Sequence, residues 1–330
     1  MTFRCPPWLR NPHAQTVWGK FVRRVPKVAT VAECLPLTDG HVIDVHHLEA
    51  PPDAPRLLLL HGLEGTVESH YVGGMLAQAR DRGWGATLML FRGCGPSENS
   101  ARRFYHSGET TDVAHVFAQL RARWPRSPWC VAGVSLGGNV LLKWLGEQSS
   151  RVDPSLRAAV AVSVPFDLEA GARKILRGVG RLYDRSFLRS LKRKALRKLD
   201  RYPDLFDTGR LMRARSVFDF DDAVTAPVHG FTSGVDYYLR SSSIDFLERI
   251  RVRTFLLSAR DDPFLPPEIL DRVRAIVATN PSIHLEITAC GGHVGFVGGS
   301  TPWRATYYAE RRAFQFFDEV MERGSSIGYD

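Results

Sequence analysis

The chain has 330 residues, 44% hydrophobic and 24% charged, with a net charge of +9. That length is ample for one or two globular units with a buried core, and no uncharged apolar run long enough to span a membrane is present. The amino terminus carries Arg4 and early prolines (Pro6, Pro7, Pro12) instead of a secretory apolar stretch. The cysteines Cys5, Cys34, Cys94, Cys130 and Cys290 show no zinc-ligand spacing, which points to a reducing, cytoplasmic setting.

Short apolar runs then alternate with helical patterns, the signature of a mostly parallel sheet covered by helices on both faces. Residues 28–38 and 41–50 read as a hairpin around Asp39-Gly40, and 56–62 as a strand buried on both sides. A helix over 69–82, a strand over 86–93, a helix over 109–123, a strand over 129–135, a helix over 136–147 and a strand from 158 continue the alternation. It stops from 168 to 243, a basic, helical, aromatic-bearing stretch that reads as a lid inserted between core segments 1–167 and 244–330. Beyond it come a strand from 253, a helix over 267–278, a strand from 282 and a final helix over 301–321.

The insertion carries the charge excess. Between Gly171 and Arg201 there are twelve Lys/Arg against Asp184 and Asp200. Ile175, Leu176, Val179, Leu182, Leu188, Leu191, Ala195 and Leu199 recur among them at helical spacing, so this is a basic amphipathic element. A solvated helix face is the plain reading. Peripheral contact with anionic lipid headgroups or an acidic substrate comes next, and nucleic-acid binding is least supported.

Gly133-Val134-Ser135-Leu136-Gly137 is a GxSxG placed between a buried strand and a helix, the context in which a serine becomes an exposed nucleophile on a sharp turn. A serine hydroxyl needs a base in hydrogen-bond reach, and the base needs an orienting group. His293 follows a strand in the glycine loop Cys290-Gly291-Gly292 and is the predicted base, whereas His284 alternates to the polar side of a strand. The acid lies in Ala259-Arg260-Asp261-Asp262, where only one carboxylate can face the imidazole. The spacing from Ala259 to Pro266 favours Asp262 and leaves Asp261 as a turn cap. Oxyanion donors are expected from the amides of Leu136, at the helix start, and Leu63, in the loop His61-Gly62-Leu63-Glu64-Gly65. His61 reads as a loop-fixing hydrogen bonder.

Taken together, Asn11-Pro12-His13-Ala14-Gln15-Thr16, Leu60 to Gly65, Phe91-Arg92-Gly93-Cys94-Gly95, Tyr105 to Asp112, Gly133 to Gly138 and Gly291 to Phe296 resemble the AB hydrolase 4 family, the YheT-like branch of the α/β-hydrolases. The resemblance covers nearly the whole chain. It implies an α/β-hydrolase fold, a Ser135–His293–Asp262 triad, and hydrolysis of acyl esters, acylglycerols or phospholipids, with acyl transfer to alcohols in some relatives. Animal members usually begin with a membrane-anchoring helix that is missing here, so membrane residence is not expected. Arg92, His106 and Asp112 belong to the family pattern and read as a buried network bracing the active-site loops. No P-loop lysine, HExxH or dinucleotide-binding glycine motif is present, so no cofactor or metal is expected. The rival reading is a catalytically silent hydrolase fold that binds lipid or a protein partner.

Overall fold

The run Arg56–Leu60 is apolar without alternation because both of its faces are covered: Leu58 and Leu60 enter one core, Leu57 and Leu59 another. The same division runs through Trp129–Val134 and Leu156–Val162, where successive side chains join opposite clusters. In the computed structural model, which describes residues 3–325, these strands lie at the centre of an eight-stranded sheet.

In chain order the strands are β1 (Val31–Pro36), β2 (Val42–Leu48), β3 (Arg56–Leu60), β4 (Gly85–Met89), β5 (Trp129–Val134), β6 (Leu156–Val162), β7 (Arg253–Ala259) and β8 (Ile283–Thr288). Their spatial order is β1-β2-β4-β3-β5-β6-β7-β8; β1 and β2 run antiparallel as the expected hairpin, and β3 to β8 are parallel. Because β4 lies on one side of β3 and β5 on the other, the strand order reverses between β3 and β5. In open parallel sheets the crevice at the carboxyl ends of such neighbours is where ligands bind.

The amino-terminal helix α1 (Pro12–Phe21) starts at Asn11, whose side chain accepts from the amides of His13 and Ala14. It is followed by α2 (His70–Asp81), α3 (Thr111–Arg123) and α4 (Leu136–Gln148). After β6 the chain forms α5 (Leu168–Ile175), the long α6 (Gly180–Leu199), α7 (Thr208–Arg213) and the short α8 (Val217–Phe220) and α9 (Ala226–Val228) around a π-helical turn at Asp221–Thr225, then α10 (Gly234–Ser241). These helices have a small core of their own that includes Leu188, Ala195, Phe206, Leu211 and Phe220. The chain returns to the sheet with β7, α11 (Pro267–Val277) and β8, and the terminal helix α12 spans Tyr308–Ser325.

Two expectations need correcting. The last helix starts at Tyr308, not Thr301, because Pro302–Arg304 makes a single 3₁₀ turn and β10 (Thr306–Tyr307) pairs back with β9 (Val297–Gly298). Cys5 and Cys290, separated by 285 residues, form a disulfide with their Cα atoms 6.1 Å apart. The scattered cysteines are therefore not all free thiols, and the argument from them to a reducing compartment loses its basis. Among the described residues no helix is long and apolar enough to cross a membrane.

Arg23 ties the segment after α1 to the far end of the chain. Its guanidinium pairs bidentately with Glu310 of α12 and lies 3.6 Å from the Tyr307 ring centroid, with both charged side chains buried. Burial holds the Glu310 carboxyl above its ordinary value, with the Arg23 hydrogen bonds and charge offsetting only part of that rise. Arg23→Ala would strand a buried carboxylate, so it is expected to lower unfolding stability by about 3–5 kcal/mol. A urea denaturation midpoint equal to wild type would contradict this account.

Candidate active site

The turn after β5 brings Ser135 out of the sheet with φ +53° and ψ −119°, a left-handed conformation that non-glycine residues rarely adopt. Its neighbours make the turn possible. A Cβ at Gly133 would fall 2.5 Å from the Gly137 carbonyl oxygen, and one at Gly137 would fall 2.5 Å from the carbonyl oxygens of both Leu60 and His61. GxSxG is thus a packing requirement: α4 starts directly against the end of β3.

The Ser135 hydroxyl lies 2.8 Å from His293 Nε2, and His293 Nδ1 lies 2.8 Å from Asp262 Oδ2. The structure thereby brings together the three residues expected to act in concert, each from a loop at the carboxyl end of a different strand. Asp262 Oδ1 also accepts from the Phe264 amide at 2.8 Å, which fixes the carboxylate, and the Phe264 ring packs 4.3 Å from the imidazole. Asp261 does more than cap a turn: its Oδ1 accepts from the Gly292 amide at 2.9 Å, holding the loop that carries His293. His284 is exposed on β8 with its ring over Phe255.

The His293 loop is bent by residues in left-handed conformations, Gly292, Val294 and Phe296. Elements far away in sequence hold it. The His293 amide donates to Thr16 Oγ1 at 2.9 Å, the Val294 amide to Ser163 Oγ at 2.9 Å, and buried Gln15 exchanges hydrogen bonds with the Val297 backbone. A Cβ at Gly292 would fall 2.4 Å from the Pro12 carbonyl oxygen, so α1 packs directly on this loop, and the Cys5–Cys290 disulfide pins the same place. Sequence reading assigned no role to residues 11–16 beyond their family pattern, although the adjacent polar pair Gln15 and Thr16 on a short helix was the available signal.

Two backbone amides expected as oxyanion donors lie in elements next to Ser135. In the loop after β3, the Gly62 amide donates to the Tyr71 hydroxyl at 2.8 Å and the Glu64 amide to the Tyr105 hydroxyl at 3.0 Å. Among the described residues no acceptor takes the intervening Leu63 amide. Leu136 is the first residue of α4, where amides have no partner within the helix. The Gly62 backbone packs close to the Ser135 side chain, so this loop borders the nucleophile position.

His61 is the clamp of that loop. Its ring accepts from the Phe91 amide at Nε2 (3.0 Å) and donates from Nδ1 to the Gly62 carbonyl (2.6 Å), and burial pushes it down to about 4. Arg92 grips Asp112 bidentately at 2.6 and 2.7 Å and Asp39 at 2.9 Å, while Arg103 joins Asp112 at 2.6 Å. His106 is also buried, its ring 4.4 Å from that of His229, and burial drives it well below its ordinary value. These groups hydrogen-bond to one another and to their own loops, not to Ser135, His293 or Asp262.

Sequence reading missed two further residues. Buried Asn139 donates from Nδ2 to the carbonyls of Ser107 and Ser241 and accepts from the Ser243 amide, stitching α4 to the end of the helical insertion. Glu64 accepts from the Tyr105 hydroxyl at 2.7 Å, from Lys194 at 2.7 Å and from Ser190, joining the loop after β3 to α6. Burial would raise its carboxyl, but the Lys194 charge and these hydrogen bonds together bring it below the ordinary value.

A cavity of about 470 Å³ opens over Ser135 and His293, a size that suits a small-molecule ligand. Leu63, Leu136, Leu168, Ile175, Phe187 and Phe264 give it an apolar wall near the serine. Of the insertion's aromatics, Phe187, Phe220, Tyr237 and Tyr238 reach the cavity, whereas Phe206 belongs to the insertion's own core.

Residues 55–300 match the model of a family described as alpha/beta hydrolase fold. YheT of Escherichia coli, which carries an esterase designation, is 37% identical over 88% of this chain and 85% of its own. A mouse protein named phospholipase ABHD3 is 28% identical over 97% of this chain and 79% of its own. A Saccharomyces cerevisiae protein named monoacylglycerol lipase is 31% identical over 82% of this chain and 61% of its own. Among solved structures, the Pyrococcus furiosus esterase Pf2001 superposes with a TM-score of 0.59 at 16% identity, covering 97% of this chain and 98% of that one.

His61, His70 and His229 are each pushed down to about 4, chiefly by burial, so all three are neutral in the fold but titrate near 6.5 when unfolded. Their contribution is complete above about pH 6.5 and is lost as pH falls toward 4, by up to ~1.4 kcal/mol per pH unit for each. Urea midpoints measured from pH 7.5 to 5 are expected to fall steeply across this window, and a flat profile would count against neutral buried histidines. The sheet topology, the match to the family model over most of the chain and the relatives above agree: the chain belongs to the α/β-hydrolase family.

Proposed function

We propose that the chain hydrolyses carboxylic esters through Ser135 as nucleophile, His293 as general base and Asp262 as the group that orients and stabilises the imidazolium. The observation that carries this reading is the unbroken relay Asp262–His293–Ser135, with both contacts at 2.8 Å. In the reaction, His293 Nε2 takes the Ser135 proton as Oγ attacks the ester carbonyl. The amides of Leu63 and Leu136 receive the developing oxyanion. The tetrahedral adduct collapses to an acyl-enzyme as His293 protonates the departing alcohol, and a water deprotonated by the same imidazole then releases the acid.

The apolar wall beside Ser135 and the lipase and phospholipase names among the relatives support esters of lipid-like acids, with α5 to α10 acting as a lid over the cavity. The residues expected as catalysts require no cofactor for this chemistry. Hydrolysis of p-nitrophenyl esters from acetyl to palmitoyl is expected to fall at least roughly 10³-fold in kcat for Ser135→Ala, and about 10⁴-fold for Asp262→Asn, which would favour the wrong imidazole tautomer. Turnover retained by folded Ser135→Ala would sink the assignment. Loss with both variants and none with Asp261→Asn would separate the two neighbouring carboxylates by role.

A further inference from the structure

The face that α6 turns to the cavity changes character along its length. Phe187, Leu191, Lys194 and Lys198 follow one another at steps of three and four, Arg201 continues the row just past the helix end, and all five line the cavity. Phe187 marks the end near Ser135: its ring centroid lies 6.2 Å from that of Phe264, which packs against His293. Lys198 lies eleven residues further along, so its Cα is roughly 16 Å down the helix axis. The cavity is therefore apolar beside the nucleophile and cationic at its far end.

The cations at that end are unequally neutralised. Lys194 has Glu64, and Arg92 has Asp112 and Asp39, although its Nη1 is buried with no acceptor. Lys198 is buried and has no carboxylate at ion-pair distance among the described residues. It donates to the carbonyl oxygens of Asn99 and Ala101, which leaves the third N–H of its ammonium without an acceptor. Arg197 and Arg201 line the same end, exposed and without an ion-pair partner among the described residues. The carboxylate that Lys198 senses is exposed Glu98; burial first, and then the Arg92 charge, pull Lys198 down to about 8. A buried ammonium held by carbonyls alone, with two free arginines beside it and an unanswered guanidinium N–H behind it, is electrostatically incomplete until an anion arrives.

We propose that this end of the cavity is an oxyanion-binding subsite, and that preferred substrates are acyl esters carrying a phosphate or carboxylate separated from the scissile ester by an apolar spacer. This rests on the assignment of Ser135 as nucleophile. Lys198 and the two arginines bind the charged group, while Leu191 and Phe187 cover the spacer. The ester carbonyl then comes to Ser135 already oriented, because both ends of the substrate are held.

The test compares matched esters below their aggregation concentrations. One arm sets a p-nitrophenyl alkanoate against the same chain ending in a phosphate, and the other sets it against the same chain ending in a carboxylate. Wild type is expected to prefer the anionic member of at least one pair by about tenfold or more in kcat/KM at low salt, with the preference fading as salt is added. The arm that responds says which anion the subsite takes. The ratio is expected to approach one in Lys198→Gln and in the surface double variant Arg197→Gln/Arg201→Gln, whose exposed side chains make no hydrogen bond or ion pair among the described residues. A ratio near one in wild type, or one unchanged in the double variant, overturns the subsite while leaving neutral-ester hydrolysis as evidence for Ser135. A gain seen only on phosphatidylglycerol vesicles, and equally for neutral esters, assigns the charges to a membrane surface and also overturns it. Loss of Ser135-dependent turnover on every ester would instead remove the underlying catalytic reading.

Discussion

α4 can begin against the end of β3 only because Gly137 has no side chain, since a Cβ there would overlap the carbonyl oxygens of Leu60 and His61. That close approach sets the geometry of the whole carboxyl edge. It fixes the turn at Ser135 and leaves the first amides of α4, which have no partner within the helix, at the carboxyl end of β5 next to the end of β3. The left-handed backbone of Ser135 is strained, and such strain persists only where surrounding packing over-determines it. Here the packing is the central parallel strands with a core on each face, the most completely buried part of the molecule.

The histidine loop follows a different logic. It leaves the sheet at β8, near an edge, and its shape is imposed from outside by Thr16 and Gln15 of α1, by Ser163 after β6, by Asp261 and by the bond between Cys5 and Cys290. The amino-terminal helix is therefore part of the site's framework although it contributes no strand and no group of the relay. His13 extends the same brace toward the insertion, its ring stacked at 5.9 Å on that of Tyr183 in α6.

Legibility from sequence followed the range of the interactions. The central strands and the serine turn are encoded in a few neighbouring residues, apolar runs and paired glycines, so the starts of these strands and the turn itself are readable to within a residue or two, while two strand ends, β4 and β6, stop four to five residues short of the expected run. The choice between Asp261 and Asp262 was not local in this sense. Both carboxylates serve the histidine loop, one gripping its backbone and the other its ring, and only the direction of each side chain separates them. The disulfide joins residues 285 apart and has no sequence signature. The start of the last helix was misjudged because a helical apolar pattern continues upstream, while Pro302 and the short β9–β10 pairing decide the backbone there.

Glu64 shows how the insertion is coupled to the site. It lies next to Leu63, has a left-handed backbone, and receives Tyr105 from the core and Ser190 and Lys194 from α6. Any displacement of α6 away from the sheet must part Lys194 and Ser190 from Glu64, exposing a carboxylate whose buried charge they compensate. The same residue turns the backbone that presents the Leu63 amide. Seating α6 and ordering the loop after β3 are therefore one electrostatic event: the helix that walls the cavity also holds the loop that packs against Ser135.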